Sequence, residues 1–247
     1  MKIKVLTLFP EMFAPLNHSI LGRAQESGLL SLEYLNIRDY TCNKHRRCDD
    51  YPFGGGAGMV MNAQPVCDCM CAAQQDFPAR RIHLSPRGKP FTQADAQRLA
   101  KEENLIFLCS HYEGVDQRAL DLCVDEEISI GDYILTGGEL AAMVVIDAVA
   151  RLVDGVLGSS ESYEDESFSD GLLEYPQYTR PADFKGLVVP PVLVSGHAAN
   201  IADWRLQQAL IITKQRRPEL YEAYVEAHKK DKHFRKIMLA IDNSFML

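Results

Sequence analysis

The chain has 247 residues, 47% of them hydrophobic and 24% charged, enough to bury one large or two modest cores. Glu139, Asp147 and Arg151 interrupt its best apolar run, which excludes a bilayer-spanning segment there. The net charge of −8 is uneven, +3 over residues 1–100, −14 over 101–170 and +3 over 171–247. That excludes nucleic acid contact over the whole surface and leaves two basic segments able to hold phosphates.

Lys2 to Phe9 alternates and is partly β-branched, so the chain opens on a strand rather than a signal peptide. A helix is predicted from Glu11 to Ser27 with Gly28 as its stop, then a strand from Leu29 to Ile37. Arg38 to Gly58 lacks periodicity and reads as a long loop, of a length that is usually functional or disordered. It carries Arg38, Lys44, His45, Arg46, Arg47, Asp49 and Asp50, then Tyr51-Pro52-Phe53-Gly54-Gly55-Gly56-Ala57-Gly58. No Lys-Ser/Thr follows the glycines, so this is not the nucleotide phosphate loop. Basic residues beside glycines and aromatic rings suit RNA phosphates and an extruded base; a solvated charged loop is the alternative.

Gln64 to Gln75 is predicted helical. Its Cys67, Cys69 and Cys71 have no histidine nearby in sequence, so no metal site is assigned and buried thiols are expected. Seven cysteines, an odd count in a chain of this size, favour a reducing cytoplasm. Arg81 to Leu84 reads as a short strand ending at Ser85-Pro86-Arg87-Gly88. Thr92 is placed as the cap of a helix to Lys101, before a buried strand from Leu105 to Cys109. After Ser110-His111-Tyr112-Glu113-Gly114 come a short helix to Leu122, a strand from Cys123 to Ile130 and a helix from Leu140 to Val153.

Alternating strands and helices predict an α/β fold with a mostly parallel sheet. Three strands end in small or polar loops at Ser85, Ser110 and Ser129. As parallel neighbours they would gather those loops at one edge, where open α/β sheets bind ligands. The third loop is the most glycine-rich, with Gly131, Gly137 and Gly138, and glycine permits positive φ and close approach.

Asp147 and Arg151 share a helix face. Arg151 is the only Lys or Arg between Arg118 and Arg180, either paired structurally or held for a ligand oxygen. Gly158 to Gly171 is rich in serine and acid and reads as a linker. Leu172 to His197 is predicted extended, and helices follow over Ile201–Gln215, Glu219–Ala227 and Lys232–Ile241. The expected division is 1–158 and 172–247 joined by a linker at 159–171.

These segments together resemble the bacterial tRNA (guanine-N1)-methyltransferase family of the knotted SPOUT superfamily. The likeness runs from TLFPEMF (Thr7 to Phe13) to RRPEL (Arg216 to Leu220). HRRCDDYPFGGGAGM (His45 to Met59), HYEGVDQR (His111 to Arg118), SIGDYILTGGEL (Ser129 to Leu140) and EYPQYTRP (Glu174 to Pro181) carry it.

The resemblance implies a deep trefoil knot in the first domain, a small helical tRNA-binding second domain, and a cytoplasmic homodimer with shared active sites. It implies S-adenosyl-L-methionine as cofactor, held by Leu84, Ser85, Pro86, Ser110, Tyr112, Glu113, Gly114, Ile130, Gly131, Asp132, Tyr133, Ile134, Leu135, Gly137 and Gly138. Mg2+ is left open. Arg46, Asp50, Gly55, Gly56, Arg205, Arg216 and Arg217 are expected to meet tRNA. The reaction implied is methyl transfer to N1 of the guanosine at position 37, just 3′ of the anticodon.

In the family an arginine matching Arg151 is the catalytic cation, and an aspartate before Ser-Phe is the base. Here Glu166 stands at that place and Asp165 precedes it, so either carboxylate is a candidate. Ser110 and Ala57 also depart, from a glycine and a proline. An RNA methyltransferase with another target, or a tRNA-binding protein that has lost catalysis, are the other readings.

Overall fold

A computed structural model describes residues 1–158 and 166–244. The chain divides into two compact units, Met1–Ser159 and Ser160–Leu247.

The first unit is a five-stranded sheet covered on both faces. Its elements are β1 (Lys2–Thr7), α1 (Ser19–Glu26), β2 (Ser31–Asn36), β3 (Asp49–Asp50), β4 (Val60–Met61) and α2 (Ala63–Gln74). Then come β5 (Arg80–Pro90), α3 (Gln93–Leu99), β6 (Asn104–Cys109), α4 (Gln117–Cys123), β7 (Glu126–Ser129) and α5 (Glu139–Ala150). The strand order is β2-β1-β6-β5-β7, with every pairing parallel. In β6, Leu105, Phe107 and Cys109 face the helices α1, α3 and α5, while Ile106 and Leu108 face α2 and α4. Burial on both faces is why this strand reads as an unbroken apolar run.

Three predicted elements differ. The helix expected from Glu11 to Ser27 splits into a 3-10 helix, Pro10–Asn17, and α1. Pro15 lies inside the first piece and lacks the N–H an α-helix needs. His18 is extended and Ser19 sits at φ +56° between the two. Gly28 does stop α1: at φ +76° it lets Leu29 N–H reach Ala24 O and its own N–H reach Gln25 O.

The strand predicted to end at Leu84 continues to Pro90. Both Leu84 and Lys89 pair with Ile128 of β7, so Ser85–Gly88 is looped out between two stretches of pairing. The loop returns hard against β7: a Cβ on Gly88 would lie 2.5 Å from the Glu127 carbonyl carbon and Ile128 nitrogen. Finally, β7 starts at Glu126 rather than Cys123, because α4 runs through Cys123 and buries it beside α2.

Thr92 caps α3 reciprocally. Its hydroxyl accepts from Asp95 N–H, and the Asp95 carboxylate accepts from Thr92 N–H and Oγ1–H. In the long loop, β3 and β4 pair antiparallel and close its two ends, leaving residues 51–58 as an irregular tip.

The second unit contains a short hairpin of β8 (Asp183–Phe184) and β9 (Leu187–Val188), a 3-10 turn at Pro191–Val194, and helices α6 (Ala198–Arg216), α7 (Pro218–His228) and α8 (Lys232–Ser244). The hairpin and turn lie inside the stretch predicted as simply extended. Its core joins Leu172, Ala209, Leu210, Phe234, Ile237 and Ile241. Buried Thr213 ties the incoming segment to α6, accepting from Leu173 N–H and donating to Ala209 O. Among the described residues no helix is long and apolar enough to cross a membrane.

Candidate functional site

Because β6, β5 and β7 are adjacent and parallel, their carboxyl ends meet at one edge. A cavity of about 450 Å³ opens there. Its first wall is the looped-out segment of β5, where Ser85 Oγ accepts from Arg87 N–H. Its second wall is Ser110 to Gly114, with Tyr112 at φ +60°. The third is the loop from Ser129 to Gly138, in which Ser129 Oγ accepts from Gly131 N–H and donates to Gly131 O.

The walls are fastened to one another by main chain. Gly138 N–H donates to Ser110 O at 2.8 Å, and His111 forms a bridge with Gly137. Glu113 N–H donates to Met59 O and Met61 N–H to Gly114 O, which ties the second wall to the base of the glycine-rich tip. The glycines serve this packing. A Cβ on Gly137 would come within 2.4 Å of Glu139 Oε2 and 2.7 Å of His111 Nδ1, and one on Gly138 within 2.9 Å of Cys109 Cα. These two glycines let the third wall lie against the second. Gly114, at φ +121°, and Gly131, at φ +148°, are the two whose backbone conformation itself calls for glycine.

Beneath the cavity, Glu139 is buried at the start of α5 and accepts from Thr7 Oγ1 at 2.8 Å. A carboxylate suits the amino end of a helix. Burial pushes the Cys109 thiol well up, so it is an inert part of the core.

All the residues predicted for the cofactor line this cavity except Asp132. The loop turns back at Gly131, where Tyr133 N–H donates to Gly131 O. His83, Arg87, His111, Val115, Ile128, Ser129, Thr136 and Ala141 also line it and were not predicted. His111 opens a segment already singled out; His83 sits inside a strand and carried no such signal.

The predicted RNA-facing residues of the first unit lie on and beside the tip. Tyr51 is 78% exposed and Phe53 fully exposed, and Gly54, Gly55, Gly56 and Gly58 all have positive φ. Asp50 accepts from Tyr51 N–H, and Arg46 pairs with Asp39. Gly58 approaches Glu113 so closely that a Cβ would sit 2.5 Å from its Cγ. Arg151 follows α5 as its C-cap, with its N–H donating to Asp147 O.

In the second unit a cavity of about 400 Å³ is lined by Glu166, Asp170, Glu174, Tyr175 and Arg205 over an apolar floor. The Arg205 guanidinium lies 4.7 Å from the Tyr175 ring centre. At the end of α6, Arg216 is exposed, and Arg217 pairs with Glu219 and lies 5.9 Å from the Phe168 ring. Asp165 lies outside the described residues. The helix cysteines divide by face: Cys69 is buried, Cys71 exposed, and Cys67 lies 3.3 Å from Cys123. Burial lifts the thiols of Cys69 and Cys123 to about 12. Among the described residues no cluster of histidine, cysteine and carboxylate has the makings of a metal site.

A family model described as tRNA (guanine-1)-methyltransferase TrmD matches residues 1–223. A tRNA (guanine-N(1)-)-methyltransferase of Clostridium perfringens is 58% identical over 231 residues, covering 94% of this chain and 97% of its own. A protein of the same name from Clostridium botulinum is 59% identical over 224 residues, covering 91% and 93%.

Proposed function

The chain belongs to the tRNA (guanine-1)-methyltransferase family, and from that premise we propose that it transfers a methyl group from S-adenosyl-L-methionine to N1 of guanosine 37 in tRNA. The observation that carries the reading is the cavity at the joined ends of β5, β6 and β7. Its size, its loop-built lining and its apolar residues Leu84, Ile130 and Leu135 fit a nucleoside with a short charged arm.

When bound, S-adenosyl-L-methionine supplies a methyl group already activated by the sulfonium. The chain must then manage a proton and a charge. Neutral guanine holds a proton on N1, and Glu166 is the carboxylate that takes it, with Asp165 the alternative one residue earlier. Arg151 holds the negative charge that grows on the guanine carbonyl oxygen. Exposed Tyr51 and Phe53 offer rings to unstacked bases. Arg46, Asp50, Gly55 and Gly56 meet the RNA near them, and Arg205, Arg216 and Arg217 of a helical tRNA-binding unit hold the rest.

A trefoil-knotted chain path, a homodimer with shared active sites and a cytoplasmic setting are part of the same reading, supported by family membership. Labelled S-adenosyl-L-methionine and unmodified tRNA transcripts test it. Label is expected in a transcript with guanosine 37 and not in one where that base is replaced. Label in both would assign another target, and label in neither would favour a tRNA-binding protein in which glutamate has displaced the family aspartate.

A further inference from the structure

His83 is 3% exposed, on β5 at the foot of the looped-out wall. Its Nδ1 lies 3.2 Å from Glu127 Oε2 on β7. A carboxylate only accepts, so Nδ1 carries the proton and Nε2 presents a lone pair. Nε2 is buried and has no hydrogen-bond partner among the described residues, whereas nearly all buried polar atoms have one. The residue lines the cavity assigned to the cofactor. An acceptor without a donor, on a residue that lines a ligand cavity, is half of an interaction.

We propose that His83 is a further cofactor-positioning residue, whose Nε2 accepts a hydrogen bond from an amine or hydroxyl of the bound cofactor, directly or through one water. This rests on the cavity being the S-adenosyl-L-methionine site. The surrounding charges bear on when the lone pair is available. Glu127 faces the ring from β7, and Arg87 reaches across from the looped-out segment to Glu127 at 3.7 Å and to Gln117 of α4. Neutral Leu108 is its partner on β6, and Arg81, two residues back on β5, pairs with Asp125 just before β7. Burial drives the imidazole below its ordinary value against the pull of Glu127. The lone pair is therefore present at neutral pH and is lost as pH falls through that lowered value, so cofactor affinity falls on acidification.

Calorimetric titration of the full-length protein with S-adenosyl-L-methionine, repeated across pH 5 to 8, tests this. His83→Phe should bind roughly three- to tenfold more weakly at neutral pH, as for a lost neutral hydrogen bond, and lose the acid-side decline. His83→Gln places an amide oxygen near the Nε2 position without a titrating proton. It should keep most of the affinity and lose the decline. In parent protein with 15N-labelled histidine, the His83 Nε2 resonance should move when cofactor is added. Unmoved Nε2, or variants matching the parent in affinity and pH profile, would overturn the assignment while leaving the cavity reading intact. A parent that binds no cofactor would overturn both. Thermal melts identify any variant that fails to fold, and the parent's nitrogen resonance decides the matter without a variant.

Discussion

The two cavities of this molecule are built from different materials. The one in the first unit is walled largely by main chain, its second and third loops hydrogen-bonded to each other and its walls packed through Gly88, Gly137 and Gly138. The one in the second unit is walled by side chains, with Glu166, Asp170, Glu174 and Arg205 around an apolar floor. A main-chain wall tolerates many side-chain changes and is spoiled by a single added carbon at the wrong glycine. A side-chain wall has the opposite sensitivity: its backbone has slack, and its chemistry resides in groups one substitution can remove. On the proposed function, the first kind of wall suits one invariant small molecule and the second suits a group that must take a proton.

The largest expected effect breaks the side-chain wall. Glu166→Gln keeps size and hydrogen bonding but removes the proton acceptor, so single-turnover methylation should fall about 10²–10⁴-fold while calorimetry finds cofactor affinity unchanged. Glu166→Asp restores the family residue and should keep most activity. Parent rates in Glu166→Gln, accompanied by a large loss in Asp165→Asn, would move the base one residue back.

A smaller effect breaks the main-chain wall. Gly137→Val drives a side chain into Glu139 Oε2 and His111 Nδ1, and overpacking of that kind costs about 1–3 kcal/mol. Cofactor affinity should drop by about five- to hundredfold because the second and third walls part. Undiminished binding would mean the loops have room that their contacts deny.

The smallest effect falls on the scaffold and should leave both sites alone. Thr92→Ala removes the reciprocal cap of α3 and should cost about 1 kcal/mol of stability. Burial pushes the Asp95 carboxyl up, but hydrogen bonds from Thr92 and Lys89 outweigh it and hold it below its ordinary value. A depressed carboxylate stabilises the fold above the unfolded value of about 3.9, and that contribution disappears as pH falls through the folded one. The gap between the urea midpoints of parent and variant, measured from pH 6 down to 3, should therefore narrow in acid without closing, because the Thr92 hydroxyl still accepts from Asp95 N–H. A constant gap would remove Asp95 from the cap.

What the sequence made legible followed from local chemistry. The apolar run of β6, the Thr92 cap, the Gly28 stop and the three polar strand ends each have a cause within a few residues. The parallel adjacency of those ends then located the cavity. Features with remote causes were hidden. The looped-out segment of β5 exists because β7 pairs on both sides of it, and no pattern within Arg80 to Pro90 announces a partner that begins at Glu126. His83 resembled any inward strand residue until Glu127 was seen across from it. The second cavity depends on α6 folding back over residues 166–175. Pro15 was readable, and it argued against the single helix that was predicted. Glu166 stood out only against the aspartate of the family it resembles.

The interior position of β1, between β2 and β6, bears on how the molecule folds. Lys2 is aligned with Asn104 and Leu6 with Leu108, so the first strand waits for a partner that emerges about a hundred residues later in synthesis. Until β6 arrives, one edge of β1 is bare, and closing so long a loop carries an entropic cost that grows with its length. Sheets dominated by such distant pairings fold slowly. The newly made chain therefore passes through an interval in which Ile3, Val5 and Leu6, all fully covered in the finished protein, lack their final neighbours. A nascent chain stalled before Asn104 should be bound by a chaperone that recognises apolar strands, and released once Cys109 has cleared the ribosome.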